Sequence, residues 1–340
     1  MHKRILRLIA EIDEFKGMWH SSGVLPEASL NSLKRFATIE SIGSSTRIEG
    51  VSLSDREVEY LINGLEAKSF RSRDEQEVAG YAQAISLVYE AWEDMVLTES
   101  MIKGLHRQLL QYSDKDEWHL GEYKKHPNHV AAFDSDGRQI GIVFETLSPF
   151  QTPMVMKDLV QETQRNLDDP DFHPLLAIGE FVVRFLAIHP FQDGNGRLVR
   201  ILTNLLLLRS GYSYVPYSSL ERLVEANKEE YYKSLRASQK TLSDDHPELE
   251  PWILFFLEML KKQKELLLQA IDQEKTLTVL PELSNSILDI VRQAGRVTTA
   301  DVVRITNANR STIKRHLKSL VEQQLLALHG KGRGAYYTIP

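Results

Sequence analysis

Residues 175–208 read LLAIGEFVVRFLAI-HPFQDGNGRLVR-ILTNLLLL. Two apolar stretches of helical length flank a polar segment of twelve residues, His189 to Arg200. Proline has a fixed φ and no N–H to donate, so the first helix ends at His189-Pro190. A second helix begins at about Gly196. Between them lies a turn bracketed by Gly194 and Gly196.

That turn suits a polyphosphate. The first N–H groups of a helix lack intrahelical partners and sit at the positive end of its dipole, so they bind anions. Gly194 and Gly196 let the backbone approach phosphate oxygens where a Cβ would collide. Arg197 and Arg200, three apart, are neighbours on a helix surface, and each guanidinium can fork two hydrogen bonds to a phosphate. Asp193 offers a hard oxygen ligand for Mg²⁺, an ion that needs only one or two carboxylates when phosphates complete its shell. His189, with an ordinary pKa of about 6.5, can accept a proton from an attacking hydroxyl near neutral pH. The chain has no G-x-x-x-x-G-K-[ST] loop, and its one G-x-G-x-G run, Gly330 to Gly334, lies far away in the sequence.

Outward from this segment, apolar residues at helical spacing predict helices over 28–42, 54–68, 74–93 and 98–112. Residues 113–153 change texture. The β-rich pieces 130–133 and 139–144 flank Asp136-Gly137 and predict a hairpin. Helical spacing resumes at about Val155 and runs, with one interruption, to about Glu274. A long amphipathic helix then ends near Leu280-Pro281, the predicted domain boundary. His126 and His129 form an H-x-x-H pair with no third ligand pattern and are read as solvated loop residues.

Beyond Pro281 the residues 284–294, 298–306 and 309–323 predict three short helices, with Thr298 and Asn309 as N-caps. A glycine-rich, β-tending end follows. This is the pattern of a winged helix-turn-helix, in which the third helix enters the major groove and the wing touches the DNA backbone. Arg310, Ser311, Lys314, Arg315 and Lys318 fall on the outer side of the third helix, and Ile313, Leu317, Leu320 and Val321 on its core side. Lys331 and Arg333 fall at the wing tip. DNA binding and a protein-contact role both remain open for this module.

The chain has 340 residues, enough for two or three domains, with 42% hydrophobic and 26% charged residues. Its net charge of −6 conceals an asymmetry. Residues 281–340 hold 9 Lys+Arg against 4 Asp+Glu, leaving 32 against 43 in the rest, so a basic tail follows an acidic body. With no cysteine, disulfides, thiolate metal sites and cysteine nucleophiles are excluded. The N-terminal apolar stretch is broken by Arg7, Glu11 and Asp13, too early for a signal peptide, and the most apolar region carries Arg184 and His189. A soluble cytoplasmic protein with no membrane contact is expected.

His189 to Arg200 resembles the full signature of the Fic family, H-x-F-x-[DE]-G-N-G-R-x-x-R. The resemblance implies a mainly α fold: a Fic helical bundle with a short β-hairpin flap, followed here by the winged helix-turn-helix. It implies transfer of AMP from ATP onto a Tyr, Ser or Thr hydroxyl of a target protein. His189 would be the general base and Asp193 would hold Mg²⁺ on the α- and β-phosphates. Asn195 and the loop amides of Gly194 and Gly196 would steady the α-phosphate, with Arg197 and Arg200 on the β- and γ-phosphates.

Ser44-Ser45-Thr46-Arg47-Ile48-Glu49-Gly50 resembles the family's inhibitory motif, [ST]-x-x-x-E-[GN]. Ser45 and Glu49 are four apart, on one helix face, and in relatives the glutamate pairs with the second signature arginine, here Arg200. Residues 139–153 resemble the flap that holds a target segment by strand pairing, and the resemblance implies that Val143 and Phe144 within it touch the nucleotide. Tyr231 and Gln239 correspond to residues that line the adenine pocket in relatives. One departure stands out: Gly121-Glu122-Tyr123-Lys124 has lysine where relatives often carry arginine. Relatives often dimerise, so a homodimer is among the partners implied. The division expected is 1–95, an N-terminal helical region with the inhibitory motif; 96–245, the catalytic core; 246–280, a connecting helix; and 281–340, the tail domain. Hydrolytic removal of AMP, with Glu49 orienting water, and a nucleotide-sensing DNA-binding regulator are the alternative functions.

Overall fold

The computed structural model describes residues 3–21, 25–64, 70–133, 139–279, 281–323, 325–330 and 332–340, with the side chains of 129–145, 276–279, 282 and 333 left aside. The turn expected at Asp136-Gly137, the side chains of Val143 and Phe144, and Lys331 and the Arg333 side chain therefore lie outside the described residues. The fold is mainly helical. The chain forms two compact units, 1–268 and 269–340. Their division falls within one unbroken helix rather than at Pro281, because that helix runs on to Val279.

In the first unit, α1 (Lys3–Ser21), α2 (Glu27–Ile48), α3 (Asp55–Asn63), α4 (Arg73–Ala91) and α5 (Glu99–Leu110) precede a hairpin, β1 (His129–Phe133) and β2 (Gln139–Glu145). The strands pair antiparallel, with Val130 opposite Phe144 and Ala132 opposite Gly141. Strand structure ends at Glu145, so the second half of the expected flap, 146–153, is a turn and the start of a helix. Then come α6 (Thr152–Asp168), α7 (Pro174–Ile188), α8 (Asn195–Arg209), α9 (Leu220–Ala226), α10 (Lys228–Gln239) and α11 (Glu250–Val279).

Helix α8 has no polar face to speak of: residues 197–208 are all buried. Such a helix must be covered on every side, and α7, α4, α5 and α2 pack around it. Gly80 lets two of these neighbours, α4 and α5, approach each other closely, since a Cβ there would overlap the Leu109 carbonyl. The end of α2 is as deeply covered although its residues are small and polar. Ser44, Ser45 and Thr46 are buried, and Thr46 satisfies its hydroxyl on the Ile42 and Gly43 carbonyls.

The second unit contains α12 (Glu282–Ala294), α13 (Thr299–Thr306) and α14 (Arg310–Glu322), with β3 (Val297–Thr298), β4 (Ala327–His329) and β5 (Tyr336–Thr338) in the order β3-β5-β4. Thr298 caps α13 in a capping box with Asp301, and Asn309 caps α14. Ile313, Leu317 and Leu320 of α14 join Ile287, Val291 and Val302 in one core. Arg310, Ser311, Lys314, Arg315 and Lys318 are exposed on the opposite face.

Candidate active site

Helix α7 ends at His189, whose backbone is left-handed at φ 51°, ψ 61°. A non-glycine residue there is strained and persists only where its surroundings hold it. They do so through the carbonyls. Ile188 O accepts from Lys124 Nζ (2.9 Å), His189 O and Phe191 O from Asn128 Nδ2 (3.3 and 2.7 Å), and Pro190 O from the Lys124 amide (2.8 Å). Asn195 adds a clasp: its Nδ2 donates to Phe191 O (2.7 Å) and its Oδ1 accepts from Phe191 N (2.9 Å). The carboxamide expected to steady a phosphate is thus spent on the loop, on the amide and carbonyl of Phe191. Gly194, left-handed at φ 80°, N-caps α8.

The His189 ring is half-buried and its Nδ1 lies 3.3 Å from Leu186 O. That bond assigns the proton to Nδ1 and leaves Nε2 as the acceptor. Burial first, and the Lys124 charge after it, push the imidazole pKa down to about 4. The ring is neutral at pH 7.

Asp193 lies 2.8 Å from Lys115 Nζ and 3.3 Å from Arg197 Nη2, and its Oδ1 accepts from the Gly194 amide. Burial opposes its charge, but Arg197 and Lys115 outweigh burial and hold the carboxyl at about 2. Its backbone carbonyl accepts from His106 Nε2 (3.0 Å), whose Nδ1 in turn accepts from the Gly121 amide (3.0 Å). Burial holds His106 neutral, near 4, and its ring stacks on Phe191 with centroids 3.9 Å apart.

The two signature arginines part company. Arg197 turns inward, 2% exposed, and donates to Glu77 Oε2 (2.7 Å) as well as Asp193, so it braces the carboxylate from beneath. Arg200 donates from Nε to Ser45 Oγ (2.7 Å), and from Nη2 to Ser45 O (2.9 Å) and Glu49 Oε1 (2.7 Å). Glu49 is the C-cap of α2, and Gly50 follows at φ 104°. A Cβ at Gly196 would overlap the Glu49 carboxylate. That carboxylate therefore lies against the first turn of α8, where an anion is favoured. Burial opposes its charge, but Arg200 lowers its pKa below the usual carboxylate value.

Tyr231 lines, with Arg200 and Trp252, only a small cavity of about 30 Å³. Its ring is 4% exposed and packs on Trp252 and Phe255, because α11 covers that face of α10. Tyr232 is the half-open neighbour and lies within electrostatic reach of Glu49. Gln239 ends α10 half-buried and makes no side-chain hydrogen bond to the loop. No local motif in the sequence marks the neighbours that hold the site residues in place: His106, Glu77, Lys115, Asn128 and Thr146. His106 left a trace, since it falls with Ile102 and Leu110 on the buried stripe of α5, where a polar ring requires partners. His126 is exposed, as expected of a loop histidine. No helix among the described residues is long and apolar enough to cross a membrane.

Residues 96–207 match the Fic/DOC family, and residues 272–336 match a family described as bacterial protein of unknown function (DUF977). The chain is 25% identical to the protein adenylyltransferase Fic of Drosophila melanogaster over 273 residues, 79% of this chain and 49% of that one. The Drosophila yakuba counterpart is 26% identical over 273 residues, 79% of this chain and 48% of that one. The chain thus spans about half the length of the curated relatives it matches. A Fic family protein from Desulfovibrio desulfuricans G20 superposes with a TM-score of 0.63 at 23% identity, covering 100% of this chain and 97% of that one. A Fic domain containing signaling protein from Bacteroides thetaiotaomicron VPI-5482 gives 0.62 at 23% identity, covering 80% of this chain and 98% of that one. These likenesses show the fold.

Proposed function

We propose, from the Fic/DOC domain that residues 96–207 carry, that this chain transfers AMP from ATP to a Tyr, Ser or Thr hydroxyl of a target protein, and that Glu49 restrains the transfer. The observation that supports the reading best is the gathering of three groups around the turn between α7 and α8. A neutral imidazole with Nε2 free to accept, an ionised carboxylate and an arginine held by a competing carboxylate all meet at the start of α8.

His189 Nε2 takes the proton from the target hydroxyl as that oxygen bonds to the α-phosphorus. The bond from the α-phosphorus to the α–β bridging oxygen breaks, and pyrophosphate leaves. The unpaired N–H groups of α8 and the Arg200 guanidinium stabilise the charge that develops on it. Asp193 fits Mg²⁺ by its chemistry: it is an ionised hard-oxygen ligand at the turn, and phosphate oxygens would complete the ion's shell. When bound, Mg²⁺ would neutralise phosphate charge. Lys115 must then release Asp193 Oδ2.

Productive ATP needs Arg200, and Glu49 holds it. Release of that bond is the step that would switch the protein on. In the second unit, the exposed basic face of α14, Arg310, Lys314, Arg315 and Lys318 with Ser311 beside them, supports a winged helix-turn-helix that contacts DNA phosphates. The enzymatic reading is tested with Glu49→Gly protein and ATP labelled on the α-phosphate. Label should pass to protein, and adding His189→Ala should stop it. Equal transfer with and without His189 would reject the base assigned here.

A further inference from the structure

Lys124 is 3% exposed, and among the described residues no carboxylate pairs with it. A buried ammonium without a counter-ion is costly and persists only when its protons are fully used. Lys124 uses all three: on Asn128 Oδ1, Thr146 Oγ1 and Ile188 O, each at 2.9 Å. Asn128 directly precedes β1, and Thr146 directly follows β2. The Thr146 hydroxyl also bonds back to Asn128, 2.6 Å from its carbonyl and 2.7 Å from its Oδ1. Ile188 O lies at the C-terminal end of α7, where the helix dipole favours a cation.

The same lysine reaches the motif loop twice more, by its own amide to Pro190 O and through Asn128 to His189 O and Phe191 O. Four consecutive carbonyls, 188 to 191, thus hang on one lysine and the asparagine it orients. They carry the left-handed turn that presents the His189 ring.

We infer that Lys124 is a positioning residue that couples the base of the β1–β2 hairpin to the His189 loop, so that seating a target segment on the hairpin and aiming the imidazole are one event. This rests on the adenylyltransferase reading for its catalytic consequence, but not for the coupling itself. A planar guanidinium would direct its protons in one plane, whereas the ammonium sends three to non-coplanar acceptors.

The test uses the full chain carrying Glu49→Gly, with and without Lys124→Met, which keeps the volume and removes the charge and donors. Hydrogen exchange should speed up about tenfold together in peptides covering 186–196 and in those covering the hairpin base, the effect of losing one buried partner. Turnover should fall by about tenfold or more while KM for ATP stays within about twofold, since Arg200 and Asp193 are untouched. Lys124→Arg should recover only part of either loss. Thr146→Val, which removes one acceptor and leaves the lysine, should give the same paired pattern more weakly and serves where Lys124→Met does not fold. Exchange unchanged, or faster in one segment alone, overturns the coupling. An inactive Glu49→Gly parent rejects the adenylyltransferase reading and leaves the exchange experiment to decide the coupling.

Discussion

Replacing Glu49 by glycine removes one charge-assisted hydrogen bond, 2.7 Å long, between a carboxylate about one-third exposed and a guanidinium 8% exposed. Bonds to charged groups contribute roughly 1.5–3 kcal/mol, and the partial exposure of Glu49 places this one near the lower end. That is about a tenfold change in how often Arg200 is free. The carboxylate also lies against the α8 N-terminus, so its removal relieves repulsion of an incoming phosphate by a comparable amount at the effective dielectric of a partly wet site. Together these predict a rise of roughly 10- to 100-fold in kcat/KM for ATP. Glu49→Gln, which removes the charge but keeps the volume, should fall between wild type and Glu49→Gly. AMP transfer from α-labelled ATP measures the rate, and calorimetric titration of ATP into His189→Ala proteins measures binding without turnover. A change below about twofold, or an equal gain when Arg200 is also replaced by alanine, would refute the idea that Glu49 acts through Arg200.

Several other outcomes are fixed by the same geometry. His106 and His189 both sit near pKa 4 because burial disfavours their charged forms. Between that value and 6.5 the unfolded chain binds more protons than the folded one, so stability is lost as pH falls through this window and is level above it. His106, fully buried, should account for roughly 3 kcal/mol of that loss; urea melts at pH 4.5 and 7 on wild type and His106→Gln check it, an equal slope in both speaking against this assignment. The acidic limb of kcat/KM should lie nearer pH 4 than 6.5 for the same reason. Gly80→Ala drives a methyl into the Leu109 carbonyl and should cost about 1–3 kcal/mol, read as a lowered Tm. For the full chain on duplex DNA, Arg315→Ala should weaken binding and flatten the slope of affinity against salt by about one unit if it meets a phosphate. Binding insensitive to salt would rule out that contact.

The fold was legible where local rules and burial agree. The helix ends at His189-Pro190, the caps at Thr298 and Asn309, and the buried face of α14 follow from backbone sterics and periodicity, which a single sequence carries in full. The site was legible only along the chain. Spacing places Gly194 and Gly196 at the turn, Arg200 on the helix that follows and Ser45 and Glu49 on one helix face, but cannot say what approaches from elsewhere. Arg197 turned inward because Glu77, from α4 and 120 residues away in sequence, meets it. Asn195 was drawn from the phosphate side by the amide and carbonyl of Phe191, which its carboxamide clasps. Tyr231 became core because α11 folds over it. The end of α2 is the clearest limit: small polar residues give no apolar stripe, so nothing local announces that they are buried beside Arg200.

Transfer of the α-phosphate of ATP at the α8 turn is tested most directly by the fate of the label. Glu49→Gly protein, incubated with a lysate and ATP labelled on either the α- or the γ-phosphate, should yield labelled protein from the α-position alone, with a mass gain of one AMP group on a Tyr, Ser or Thr and no product when His189→Ala is added. Label from the γ-position, or AMP released from modified proteins with none gained, would contradict it.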